Sequence, residues 1–223
     1  MAITTPLLLG GCGGSLSALD PAGESARSAA WLWWAMLGLL GTIMLLVFAV
    51  WFIAVRRAPA KTESGARRAA RWWIIGGGLV LPMTAIVLIL GFGIPLGQRM
   101  LPLPVSDGEP LRINVTARQW QWQVNYPDSG IRLTDEVHIP ANTPVDLHLT
   151  SDDVVHSFWV PRLGGKLDMI PGHTNVLRLQ ADQPGTYRGQ CAEFCGTGHA
   201  HMKFRVQVHD QTAFQRWQQE VRE

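Results

Sequence analysis

Charge is missing from two long stretches of this 223-residue chain. No Asp, Glu, Lys or Arg occurs in the 25 residues from Trp31 to Val55, or in the 27 from Trp72 to Gln98. A helix that crosses a ~30 Å hydrocarbon core needs about 20 apolar residues, so both stretches read as membrane-spanning helices. Cysteine is scarce, with only Cys12, Cys191 and Cys195. No CxxCH pattern is present, which excludes a covalently attached c-type haem in this sequence. Internal repeats and low-complexity tracts are lacking too. Nor is there a large excess of one sign: 19 Lys and Arg stand against 17 Asp and Glu, a net of +2 that gives no reason to invoke nucleic acid.

The charges that are present are unevenly placed. Arg56, Arg57, Lys61, Arg67, Arg68 and Arg71 face only Glu63 between the two apolar stretches. The positive-inside rule puts this loop in the cytoplasm, with both termini and everything beyond residue 98 outside. Residues 1–98 sum to +4 and residues 99–223 to −2, so the overall balance is a topology signal. At the start, "LLLGGCGGS" sets Cys12 after a short apolar run, like a bacterial lipoprotein cleavage site, although no basic residue precedes it. The expected organisation is a signal peptide over 1–11 with lipidation at Cys12, then an extracytoplasmic segment over 12–30. A transmembrane hairpin over 31–98 and an extracytoplasmic domain over 99–223 follow.

Past the Pro-rich linker "QRMLPLPVSDGEP", helical runs give way to alternation. "LRINVTA", "PVDLHLT" and "KFRVQVH" place apolar side chains at every second position, which predicts an antiparallel β-sandwich or barrel. Phe214, Trp217 and Val221 recur at helical spacing and predict a short closing helix.

The chemistry gathers in "GQCAEFCGTGHAHMKF". In an oxidising compartment the default for Cys191 and Cys195 is a disulfide. Their spacing also lies within the range of zinc sites. Cys195, His199 and Met202, with His156 from "VVHSFWVP", would suit a mononuclear copper, but Cys191 is then superfluous. Two thiolates four residues apart can instead bridge two coppers, with His156, His199, Met202 and the Glu193 carbonyl completing them. Methionine favours copper over zinc; on the residues alone, copper, zinc and a disulfide all remain open.

"CAEFCGTGHAHM" is similar to the copper-binding signature C-x-E-x-C-G-x-x-H-x-x-M of subunit II of bacterial haem–copper cytochrome c oxidases. "LSALDPAG", the two-helix hairpin, "RQWQW" and "HSFWVPRLGGKLDMIPG" extend the resemblance over roughly residues 9 to 210 in the same order. It implies a transmembrane hairpin carrying an all-β, cupredoxin-like Greek-key domain with a binuclear Cu(A) centre. His156 and Met202 would complete one copper, His199 and the Glu193 carbonyl the other, with Cys191 and Cys195 bridging. The Glu193 carboxylate would help bind magnesium at the boundary with subunit I, where Lys166 and Asp168 would also brace. Trp120 would be the residue through which electrons arrive from cytochrome c, with Trp122 two along on the same strand face. The implied partners are subunit I, subunit III, a separate cytochrome c and the membrane. The implied place is the bacterial plasma membrane, with the C-terminal domain on the periplasmic side, in a respiratory chain that reduces dioxygen and pumps protons.

Some positions depart from that pattern. Gln121 stands where the family often has an aromatic residue, and His173 where an arginine is common. No carboxylate lies between Trp72 and Gln98, where many members carry one at the mouth of a proton pathway. His201 falls outside the ligand register and is expected to face solvent or a partner. His138, His148 and His209 have no ligand spacing and read as strand or loop residues. Asp128, Asp135, Asp152 and Asp153 are candidates for an acidic docking patch. Competing readings are the Cu(A) subunit of a haem–copper nitric oxide reductase and a copper-binding lipoprotein. A quinol oxidase subunit is disfavoured because that class has lost the copper ligands.

Overall fold

The computed structural model describes residues 13–57, 62–98, 100–104 and 109–222; Cys12 and the signal segment lie outside them. The chain divides into two units, one of residues 31–98 and the other of residues 99–223 with the segment up to Ala30.

Helix α1 spans Glu24–Arg56 and contributes its residues from 31 onward to the first unit. Helix α2, Glu63–Trp72, starts at Thr62, whose hydroxyl accepts the Gly65 N–H, the N-cap bond that satisfies an otherwise unpaired amide. It runs through a π-helical segment, Trp73–Val80, into α3, Leu81–Gln98. The wider turn falls on Gly76–Gly78, where side-chain packing does not oppose it, and Leu81 N–H bonds back to the Gly76 carbonyl. These are two helical rods long and apolar enough to cross a membrane, and within each the apolar window is unburied.

The second unit is a sandwich of two five-stranded sheets. Its strands are β1 (Leu111–Arg118), β2 (Gln121–Asn125), β3 (Arg132–Thr134), β4 (Glu136–Pro140) and β5 (Val145–Ser151). They continue as β6 (His156–Trp159), β7 (Leu167–Met169), β8 (Asn175–Leu179), β9 (Gly185–Cys191) and β10 (Lys203–His209). The orders are β3-β2-β1-β5-β8 and β4-β10-β9-β6-β7. Alternation works as expected: Ile113, Val115 and Ala117 of β1 and Val145, Leu147 and Leu149 of β5 all point inward. Between the layers Trp122 packs edge-on to Phe158, ring centroids 5.6 Å apart, and against Phe204 at 4.9 Å. Burying each such ring contributes roughly 1.5–3 kcal/mol.

The sheets are not purely antiparallel. β1 pairs with β5, and β10 with β4, in parallel. The alternation cannot reveal this, because period two is the same in either direction. Parallel neighbours need a long crossover, and here the chain makes it by visiting the opposite sheet between β1 and β5. The segment before α1 and the first turn of that helix belong to the same unit: Gly23 bridges to Ala181, Asp20 pairs with Arg162, and Arg27 with Asp182. A Cβ at Gly23 would stand 2.4 Å from the Gln180 carbonyl, so this contact requires glycine.

The closing helix, α4 (Gln211–Glu220), is capped by Asp210 and pinned by an aromatic stack. Trp217 lies flat on His138, 4.1 Å between centroids, and His138 in turn on His209. His138 Nδ1 and His209 Nε2 are 2.8 Å apart, within one hydrogen bond. The pair is invisible in the sequence, since it depends on the parallel register of β4 and β10. Burial lowers His138 to about 4 despite the opposing pull of Glu136, and burial lowers His209 as well. An unfolded histidine takes up its proton near 6.5, so between that pH and about 4 the unfolded chain holds more protons. Stability is therefore expected to fall as the pH drops through this window. Melting temperatures between pH 7 and 5 should decline in the native chain and decline less in His138→Phe, which keeps the stack without the titration.

Candidate metal centre

The centre is assembled where β6 meets β9. Phe158 is in register with Cys191, and His156, two residues earlier on β6, shares its face. Beyond Cys191 the chain leaves the sheet at Ala192, whose N–H donates to Ser157 O, and returns at Met202. The Cys191 N–H donates to the Met202 carbonyl at 2.9 Å and closes the loop. Inside it, Gly196 holds a φ of +114°, a region side chains avoid, and His199–His201 form a 3₁₀ turn.

This closure draws every candidate donor onto two sulfurs. Cys191 Sγ lies 3.8 Å from Cys195 Sγ, 3.8 Å from His156 Nδ1 and 3.2 Å from the Glu193 carbonyl. Cys195 Sγ lies 3.5 Å from His199 Nδ1 and 3.7 Å from Met202 Sδ. His156, Cys191, Cys195 and Met202 are buried.

The distances bear on the disulfide reading left open by the sequence. A disulfide needs its sulfurs about 2.05 Å apart; both cysteines are free. Two sulfurs on one tetrahedral ion, each at ~2.3 Å, stand roughly 3.8 Å apart, the separation found. Burial, and then the Cys191 sulfur beside it, push the Cys195 thiol upward, so without a cation this position favours the thiol. A metal ion reverses that preference by stabilising thiolates. The donor set of two sulfurs, two imidazoles, a thioether and a carbonyl fits a soft metal.

Asp153, expected only as part of an acidic docking patch, stands three residues before His156 and holds its ring. Its carboxylate accepts His156 Nε2–H at 2.8 Å, which leaves Nδ1 as the lone pair facing Cys191. It also accepts the Gln119 and Val154 amides. Burial alone would raise this carboxyl, but the hydrogen bonds from Gln119, His156 and Val154 outweigh it and hold it at about 2.

Trp120 and Trp122 do not share a strand face. Trp122 is fully buried in β2, whereas Trp120 belongs to the β1–β2 turn and is 41% exposed. Alternation begins only at Gln121, so counting two residues back from Trp122 runs past the strand. The Trp120 indole donates to the Cys195 carbonyl at 3.2 Å, alongside Gln119 Nε2 at 2.8 Å. Val154, Val155 and Phe194 are also exposed. Two of the acidic candidates are occupied within the chain: Asp153 as above, and Asp135 as acceptor of the Trp122 amide. Asp152 lies 3.9 Å from Arg118, and Asp128 is exposed. Glu193, whose carbonyl faces Cys191, gives its carboxylate to Lys166 at 3.0 Å, and Lys166 also reaches Asp168. His173 bonds Asn175, and His201 is exposed.

The family model "Cytochrome C oxidase subunit II, periplasmic domain" matches residues 130–209. The chain is 34% identical over 229 residues to cytochrome c oxidase subunit 2 of Alkalihalophilus pseudofirmus, covering 95% of this chain and 64% of that protein. It is 30% identical over 225 residues to quinol oxidase subunit 2 of Bacillus cereus, covering 97% of this chain and 77% of that one. Among solved structures, the periplasmic domain of subunit II of cytochrome oxidase from Bradyrhizobium japonicum is similar at 29% identity, with a TM-score of 0.49, covering 52% of this chain and 96% of that chain.

The contact between Trp120 and the loop sets a testable constraint. A Cβ at Gly198 would stand 2.3 Å from the Trp120 ring. Gly198→Ala should cost about 1–3 kcal/mol by overpacking, and much less in a Trp120→Ala background. A thermal double-mutant cycle measures this; strict additivity would mean the ring does not rest there.

Proposed function

We propose that this chain, which belongs to the subunit II family of haem–copper terminal oxidases, is the copper-bearing kind that accepts electrons from cytochrome c. It is part of an oxidoreductase complex whose catalysis lies in another subunit. The family fold alone does not choose the electron donor, since relatives of both the cytochrome c and the quinol oxidase name match this chain. The observation that carries the choice is the convergence of four further donors, His156, the Glu193 carbonyl, His199 and Met202, on the Cys191 and Cys195 sulfurs.

In this reading Cys191 and Cys195 would hold two coppers together, with His156 and Met202 as further ligands of one and His199 and the Glu193 carbonyl of the other. Bound there, the binuclear centre would supply a one-electron acceptor whose charge is shared across both thiolates. The protein's own residues do the rest. Burial keeps water from the sulfurs, so little solvent reorganises when charge arrives. Asp153 fixes the His156 ring and, through the Gln119 amide, the turn that carries Trp120. Trp120 offers an exposed indole bonded to the loop backbone at Cys195, a short route inward from a docked cytochrome. The apolar neighbours Val154, Val155 and Phe194 would exclude water on docking, with little steering from Asp135 and Asp153.

The electrons would pass to haem in subunit I, which reduces dioxygen and moves protons; subunit III is a further expected partner. A magnesium ion at that boundary would take the Glu193 carboxylate from Lys166. The two apolar rods would span the bacterial plasma membrane as a hairpin with the basic loop inside and the sandwich on the periplasmic face. Lipidation of Cys12 would add a second anchor.

Metal analysis tests the central claim. The full chain, purified in detergent and supplied with copper, should carry two coppers with electron paramagnetic hyperfine splitting shared by both nuclei. One copper, or zinc, would overturn the binuclear reading, and failure to retain any metal would favour a quinol donor. In the assembled oxidase, Trp120→Phe should slow reduction by cytochrome c while leaving the copper spectrum unchanged; unaltered kinetics would remove Trp120 from its role.

A further inference from the structure

Three arginines of α2 have no part in the copper reading. Ser64, Arg67, Arg68, Arg71, Trp72 and Ile75 line one concavity of about 670 Å³. Their spacings of three and four residues place them along a single helical face. That face changes character along its length, from hydroxyl and guanidinium groups through an indole to an aliphatic side chain. Arg67 pairs with Glu63, but both are highly exposed and such pairs contribute little. Among the described residues, no carboxylate pairs with Arg68 or Arg71.

The helix is also longer than a bilayer requires. From Glu63 to Gln98 it has 36 residues, about 54 Å at 1.5 Å per residue, against a ~30 Å hydrocarbon core. Guanidinium groups are costly in hydrocarbon and stay at headgroup level. Trp72 and Trp73, both exposed, suit the interface just below them.

We propose that this face binds one anionic phospholipid, its phosphate between Arg68 and Arg71 beside Ser64, and an acyl chain along Trp72 and Ile75. The inference rests on the membrane-spanning reading of α2–α3. The lipid is favoured over a free anion or an acidic peptide because the arginine end continues directly into an apolar one. A soluble anion would use only half the face.

The test uses the full chain in nanodiscs of phosphatidylcholine, alone or mixed with phosphatidylglycerol, and reads bound lipid by native mass spectrometry. Phosphatidylglycerol should be retained in preference to phosphatidylcholine, and inorganic phosphate should not displace it. Each arginine replaced by glutamine, at Arg68 or Arg71, should lower the preference roughly fivefold, whereas Glu63→Gln should not lower it. Equal retention of both lipids, displacement by phosphate, or a preference that survives R68Q/R71Q would overturn the proposal while leaving the spanning helix intact. Failure to enter even phosphatidylcholine discs would instead overturn the membrane reading beneath it.

Discussion

One backbone hydrogen bond, from Cys191 N–H to the Met202 carbonyl, is the constraint on which the candidate centre depends. It ties the two ends of a loop to adjacent strands, so β9 and β10 fix where the loop starts and stops. Ordering a free loop of this length would cost closure entropy each time a metal bound; here folding of the sheet has already met it. The same register brings in the distant donor. Because Phe158 faces Cys191, His156 stands beside the first sulfur. A slip of one residue in the β6–β9 pairing would turn every side chain to the opposite face and separate His156 from both cysteines.

What the sequence made legible follows from which interactions are local. The donors of the loop lie within twelve residues of chain, so their spacing carries the geometry almost by itself. The strands β1, β5 and β10 are equally plain, because alternation is a property of each strand alone. Contacts set by pairing between strands are not. The stack of Trp217 on His138 and His209 needs β4 beside β10 in parallel, and no local pattern encodes that. Trp120 lies one residue before β2, in a turn where the strand's alternation does not apply. Asp153 was readable in principle, since a carboxylate three residues before a buried histidine is a recognisable spacing, but its bond to Gln119 N–H crosses between distant segments.

The helical unit was legible through absence. Two charge-free runs set its extent, and the basic cluster between them sets its polarity. What escaped was the transition at Trp73–Val80, where the hydrogen bonds lengthen to a π pattern around three glycines. Composition alone calls that stretch an ordinary apolar helix. The exposed apolar flanks of both rods, from Trp31 to Ile94, could not face water over such an area in a stable protein. They demand lipid or partner helices.

The core of the sandwich makes no use of the candidate ligands, and relatives bearing both oxidase names are similar to this chain over nearly its whole length. Trp122, Phe158 and Phe204 pack without reference to a metal, and buried cysteine or methionine fills space as any small or flexible hydrophobe does. Packing therefore explains Cys191, Cys195 and Met202 without a ligand role. It does not explain the polar donors. His156 is fully buried, with one nitrogen held by Asp153 and the other aimed at sulfur. His199 directs Nδ1 at the second sulfur, and the Glu193 carbonyl is turned onto the first. A loop selected only for packing would place aliphatic side chains around those sulfurs and spend its carbonyl on an amide. A thiol has a single S–H to donate, so each sulfur can satisfy only one of the lone pairs turned on it; a cation between the sulfurs would engage the rest.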